Sequence, residues 1–211
     1  KYDHLHVLVN NAGAFFTNYQ QTEDGYEMTF GLNHLSYFLL TNLLLDKIKA
    51  SGTAQQNARI VNVASDAHQR STYDRDSIQQ TQANYSGLQA YGESKLYNIM
   101  FSAELARRLE AEGANVVSNS LHPGLVSTGF GHNNGFLTRL VLSLLQRFGK
   151  NAEEGAETQV YLASSPEAEA ITGKYFDNKQ AKLPNAAAQN VEDQKHLWTY
   201  SEQLLGMNAT S

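Results

Sequence analysis

The sequence predicts an α/β fold, a parallel β-sheet covered by helices on both faces. Three observations carry that reading. Strand-like and helix-like periodicities alternate along the 211 residues. The strand-like runs are continuously apolar, as strands buried on both faces are. Three of those runs end in residues suited to chemistry: Asn10-Asn11-Ala12-Gly13, Ser65 and Pro123-Gly124. Ligands of such sheets bind beyond the carboxyl ends of the strands, so a site is expected there.

"LHVLVNN" (5–11) is Leu- and Val-rich and runs into an Asn-Asn-Ala-Gly turn, which predicts a buried strand. Residues 22–50 carry acidic groups early and lysines late, matching a helix dipole, with Leu32, Leu35, Leu39 and Leu43 as the expected apolar face. "ARIVNVAS" (58–65) is a second buried strand. The polar stretch up to about residue 87 is long for a loop, so it is expected to cover something or to be functional. A helix follows over 88–112, with Leu96, Ile99, Met100 and Ala103 on one face. "ANVVSNSLHPG" (114–124) is a third strand, stopped by Pro123 and Gly124. The rest predicts a helix over 136–148, another from Glu153, a short strand at 173–176 and a C-terminal helix around "QKHLWTYSEQLL".

Composition narrows the function classes. The chain is 41% hydrophobic and 18% charged, ordinary for a globular protein. A net charge of −5 argues against nucleic-acid binding, which needs a basic surface. Without cysteine there is no disulfide framework and no thiolate zinc site. No apolar run approaches the ~20 residues that span a bilayer. A cytoplasmic setting is expected, with membrane association only through an anchor in a preceding segment.

"AYGESKLYNIM" (90–100) puts Tyr91 and Lys95 one helical turn apart, with Cβ atoms about 5–6 Å from each other. Tyr175 and Lys179 have the same spacing, but a strand-like segment would spread them over roughly 13 Å. Only the first pair can act as a unit. Ser65 closes a strand, where a lone serine is most often a cap. Asn33 lies mid-helix, where a satisfied structural asparagine is the default. A Ser65–His68–Asp66 hydrolase set is conceivable, though no Gly-x-Ser-x-Gly elbow is present. His4 and His6 share one strand face without further ligands in view, so no metal site is expected.

Taken together, "LVNNAG", the helical Asn33, Ser65, "YGESK" and "HPGLVST" resemble the short-chain dehydrogenase/reductase family in order and spacing. "GAETQVYLASSPE", "TGKYFDN" and "LWTYSEQLL" are similar to its retinol dehydrogenase-like branch. The resemblance covers the whole chain and implies a Rossmann-like, doubly wound sheet. One feature departs. The family's opening strand and Gly-x-x-x-Gly-x-Gly turn, which holds the cofactor pyrophosphate at a helix N-terminus, has no counterpart. "GFGHNNG" (129–135) has the wrong spacing to replace it. The resemblance implies that this sequence begins at the family's fourth strand, with two βαβ units of about 30 residues each expected before it, so that it is either a fragment or lacks half of the nucleotide site. It is expected to be N-terminally truncated, a single partial dinucleotide-binding and catalytic domain over 1–211.

The resemblance implies an NAD(P)-dependent oxidoreductase acting on a lipophilic alcohol, aldehyde or ketone, with NADP preferred over NAD. Tyr91 would be the general acid/base, helped by the Lys95 ammonium favouring its phenolate. Lys95 would also bond the nicotinamide ribose, Ser65 would stabilise the substrate oxygen, and Asn33 would hold a water leading to Lys95. Asn11, Ala12 and Gly13 would line the adenosine side, where Gly13 lets the cofactor approach the backbone. Pro123, Gly124, Val126 and Thr128 would flank the nicotinamide, and the Phe-rich segment 129–150 would be a lid over the substrate. A homo-oligomer is among the expected partners, paired through the apolar edge at 5–10. The alternatives are a non-catalytic remnant acting as a binding module and, further off, the serine hydrolase.

Overall fold

The computed structural model describes residues 1–124 and 151–207. Its sheet has five strands in the order β1 (Val7–Asn10), β2 (Ala58–Val63), β3 (Val116–His122), β4 (Tyr175–Asp177) and β5 (Gln180–Lys182). The first four run parallel, as the apolar runs predict, and β5 is antiparallel to β4. The expected burial of β1 is corrected: Val7 and Val9 are 36% and 38% exposed on one face of what is the outermost strand of the described sheet. β5 is not foreseen by periodicity. It follows a two-residue turn at Asn178 and Lys179, both with positive φ (48° and 62°), the backbone of a tight hairpin. Lys rather than Gly in the second position conceals that turn from the sequence.

Among the described residues, six α-helical segments dress the sheet: α1 (Met28–Phe30), α2 (Ser36–Ser51), α3 (Gly87–Ala111), α4 (Ala152–Ser164), α5 (Ala186–Gln189) and α6 (Val191–Leu204). A π-helical turn, Gly31–Leu35, joins α1 to α2. Glu27 starts this run by accepting the N–H groups of Thr29 and Phe30. α4 begins with a capping box in which Asn151 and Glu154 exchange hydrogen bonds.

The alternation of side chains along β2 sorts the two layers. Ala58 and Ile60 pack with Tyr37, Phe38, Phe101, Leu105 and Trp198 from α2, α3 and α6. Val61 packs on the opposite face with Leu121, Phe176 and Leu162 of α4. Arg59 shares that second face and is buried there, donating to the Leu162 and Ser165 carbonyls and pairing with Glu169. Helices therefore cover both faces. The helix expected over 136–148 and the lid expected over 129–150 lie outside the described residues.

The apolar face expected on α2 is corrected. Leu35 is buried, but Leu43 is 70% exposed, and the inward face is Tyr37, Phe38, Thr41 and Ile48. Steps of four residues drift about 40° each off a 3.6-residue helix, so a Leu35–Leu39–Leu43 stripe walks out of the core. Ala103 is likewise only half-buried, while α3 is buried on nearly every side from Gly92 to Ser102. The loop before α3 explains why. Ile78 is buried against the helix and its carbonyl takes the Tyr97 hydroxyl, and Gln80 bonds the Glu93 carboxylate. The polar stretch up to residue 87 is thus a cover for α3.

His34 ties the π-turn to the C-terminal helix. Its Nε2 lies 3.0 Å from Ser201 Oγ, whose own hydrogen goes to the Leu197 carbonyl, so the imidazole is the donor. The ring sits fully buried among Phe30, Phe38, Tyr97 and Phe101. Burial lowers its pKa to about 3. Between pH 6.5 and 3 the unfolded chain therefore binds a proton that the native state refuses, and stability falls as pH falls. Urea unfolding should show a loss of about 1.4 kcal/mol per pH unit below 6.5, flattened in His34→Gln. An unchanged slope in that variant would assign the acid sensitivity to other groups.

Candidate active site

The ends of β1, β2 and β3 bring three segments together at one rim of the sheet. β1 leads into Asn11-Ala12-Gly13, all exposed; Ser65 follows β2; Pro123-Gly124 follow β3, with Gly124 at φ 89°. α3 passes alongside and carries Tyr91 and Lys95 in its first turns. Val126 and Thr128 lie outside the described residues.

Lys95 is 3% exposed, and its Nζ donates to the Val63 carbonyl at 3.2 Å. The same carbonyl accepts Asn98 Nδ2. Among the described residues no carboxylate forms an ion pair with Lys95. Burial lowers its pKa to about 8, so it is mostly protonated at neutral pH. The ammonium lies 5.6 Å from the Tyr91 ring centre and 5.8 Å from that of Tyr37.

Tyr91 keeps partial exposure at the rim, with Phe15 packed edge-on at 6.0 Å. Burial pushes its phenol up to about 12, and a hydrogen bond with Ser65 pulls the other way. Burial is the larger of these two influences, so the phenol stays above its ordinary value. Ser65 caps the short helical turn Asp66–Arg70, its Oγ accepting the Ala67 N–H at 3.3 Å.

Asn33 is fully buried in the π-turn. Its Oδ1 accepts the Ala14 N–H at 2.9 Å; its Nδ2 donates to the Ala14 carbonyl and to Ser94 Oγ. Both amide hydrogens are committed, which leaves one Oδ1 lone pair free to accept. Ser94 passes its own hydrogen to the Tyr91 carbonyl at 2.8 Å. Asn33 therefore braces the loop after β1 and, through Ser94, the helix turn that presents Tyr91. Nothing in the apolar periodicity singles out Ser94; its position three residues after Tyr91 is the only local signal.

Gly13 sits between these groups. A Cβ built there would lie 3.1 Å from Asn33 Oδ1 and 3.2 Å from Lys95 Nζ. A side chain at this position would therefore press on both groups.

Four sequence-singled residues, Asn33, Ser65, Tyr91 and Lys95, thus line one site. Others do not join it. Lys179 is in the β4–β5 turn, ion-paired with Glu157 at 2.7 Å, and Tyr175 faces Lys182 across the hairpin. The pair is split by a turn rather than by the extended strand expected. His4 and His6 are exposed with rings 5.7 Å apart. His68 Nδ1 is 2.7 Å from the Ser65 carbonyl oxygen, so it donates to the backbone and is no base for the Ser65 hydroxyl. The hydrolase arrangement is not formed.

Residues 1–135 match the short chain dehydrogenase family. Human retinol dehydrogenase 14 is 44% identical over 208 residues, which is 96% of this chain and 59% of that relative. The chain thus spans less than two thirds of that relative's length. A crystal structure of an uncharacterized protein from Mycobacterium paratuberculosis superposes with a TM-score of 0.74 at 29% identity, over 97% of this chain and 68% of that one. The 3-ketoacyl-(acyl-carrier-protein) reductase of Brucella melitensis, solved with NADH, gives 0.57 at 25% identity, over 83% and 66%. Among the described residues no helix is long and apolar enough to cross a membrane.

Proposed function

The chain belongs to the short chain dehydrogenase family, and from that membership we propose an NAD(P)-dependent oxidoreductase that acts on a lipophilic alcohol, aldehyde or ketone. The observation that carries this reading is the hydrogen bond between Ser65 and Tyr91 beside a buried Lys95 that has no acidic partner among the described residues. The similarity to a retinol dehydrogenase supports a lipophilic substrate. Resemblance to that branch favours NADP, and the NADH in a structural neighbour keeps NAD in the proposal.

The residues present fit a nicotinamide cofactor. Exposed backbone at 11–13 adjoins a buried ammonium with spare donors, the chemistry that ribose hydroxyls call for. Asn11, Ala12, Gly13, Tyr91, Lys95, Pro123 and Gly124 would hold it, with Val126 and Thr128 beyond. When bound, the cofactor supplies or accepts the hydride. Tyr91, protonated at neutral pH, is a ready proton donor to a carbonyl oxygen, which suits reduction. Ser65, whose Oγ accepts the Ala67 N–H and is bonded to Tyr91, would turn its hydroxyl hydrogen to the same oxygen as charge develops there. Lys95 would orient the ribose, and the free lone pair of Asn33 would anchor a water near it.

The test is oxidation of retinol with NADP or NAD by the native polypeptide, followed through the reduced nicotinamide, with glycerol as a polar control. Turnover is expected with retinol and not with glycerol. Gly13→Ala should lower it by roughly tenfold, because the methyl displaces Asn33 or Lys95 by a few tenths of an ångström. Its circular dichroism should be unchanged. Parent-level turnover in that variant would overturn the geometry. A second reading, the non-catalytic binding module, draws on β1, whose Val7 and Val9 are 36% and 38% exposed along the outermost strand. Absence of nucleotide binding in calorimetry, with a protein partner on β1, would favour it.

A further inference from the structure

We propose that His68 is a positioning residue for Ser65, itself held in place by Asn185 from the C-terminal part of the chain; this rests on the oxidoreductase reading above. The Ser65 carbonyl accepts two hydrogen bonds from His68, one from its N–H at 3.2 Å and a shorter one from Nδ1 at 2.7 Å. A carbonyl only accepts, so Nδ1 carries the hydrogen and Nε2 presents a lone pair. That lone pair faces the Asn185 N–H at 3.4 Å. The Asn185 side chain adds two more ties, donating from Nδ2 to the His68 carbonyl at 2.7 Å and to the Ser71 carbonyl at 2.9 Å. Its Oδ1 accepts the Ala188 N–H and so anchors the start of α5.

The imidazole is fully buried, edge-on to Tyr175 at 4.9 Å. Burial lowers its pKa, which keeps it neutral with the Nε2 lone pair intact. One asparagine thus clasps the middle and the far end of the turn that Ser65 begins, and one ring transmits the clasp to the serine backbone. The Ser65 hydroxyl, capped by Ala67 on one side and bonded to Tyr91 on the other, points where that backbone points. The serine is 120 residues ahead of Asn185 in the sequence, and the sheet's β4–β5 hairpin brings them together.

The experiment compares His68→Leu, His68→Asn and Ser65→Ala in the native polypeptide, by kinetics and by amide exchange of Ala67. His68→Leu fills the space but removes the donor. It should lower kcat by about tenfold while changing KM for the alcohol less than about threefold. His68→Asn places an amide N–H near the Nδ1 position and should recover kcat to within about threefold of the parent. Exchange at Ala67 should quicken about tenfold in His68→Leu and stay near the parent rate in His68→Asn. Equal losses in both variants would mean that the ring's bulk, not its donor, matters, and would overturn the proposal. So would parent-level kcat in His68→Leu while Ser65→Ala falls. If turnover persists in Ser65→Ala, the oxidoreductase reading has failed at Ser65, and Ala67 exchange alone then decides whether His68 holds it. Should His68→Leu not fold, Asn185→Ala, which removes the two side-chain ties to the turn along with the cap on Ala188, is expected to show the same exchange change in weaker form; an unchanged rate there overturns the proposal.

Discussion

Replacing Tyr91 by Phe is expected to lower turnover by ~10²-fold or more while the protein stays folded. The substitution keeps the aromatic ring and with it the edge-on contact to Phe15 and the Lys95 ammonium over its face. It removes only the hydroxyl. Ser65 loses that partner but keeps the Ala67 N–H, so no cap is broken. With the phenol held near 12 by burial, the native group is an acid throughout the neutral range. Loss of the hydroxyl should therefore appear in kcat for carbonyl reduction, with a thermal midpoint close to the parent's. More than a tenth of the parental kcat in Tyr91→Phe would take the proton-transfer role away from this residue.

Much of this architecture is legible in the sequence because it is local. Continuous apolar runs locate β1, β2 and β3, and the helix that starts near residue 87 places Tyr91 and Lys95 on one face. The strand-end rule then points to the rim where Ser65 and Asn11-Ala12-Gly13 meet. What is not legible depends on geometry that periodicity cannot see. A π-turn at Gly31–Leu35 sets the direction of Asn33, yet its residues read as plain helix. β5 hides behind an Asn-Lys turn. His68 looks like a candidate base beside Ser65 until the fold turns it onto the carbonyl and brings Asn185 to its far side. The pKa of Tyr91 is also invisible: spacing shows a lysine one turn away, whereas the burial that raises the phenol is a property of the packed loops.

Lys95→Met should separate activity from stability in opposite directions. The ammonium is 3% exposed and donates to the Val63 carbonyl, and burial holds its pKa down at about 8. At neutral pH the folded protein thus bears the cost of a desolvated charge that the unfolded chain does not. A methionine of similar length needs no hydration. It should raise stability by about 1–3 kcal/mol, measured by urea unfolding at pH 7, less the lost bond to Val63. Turnover should fall by ~10²-fold, because the donor set next to Gly13 is gone. Lys179→Met is the control. That lysine sits at the hairpin turn in an exposed ion pair with Glu157, worth under about 1 kcal/mol, and it reaches none of the site residues. Its turnover should stay within about twofold of the parent. Above pH 8 the parent should lose activity as Lys95 gives up its proton, and Lys179→Met should keep that limb unchanged. Equal falls in turnover for the two methionine variants would mean that the helical pairing of Tyr91 with Lys95 has no special part in the chemistry. A Lys95→Met protein that is less stable than the parent would mean that the ammonium is not the burden its burial implies.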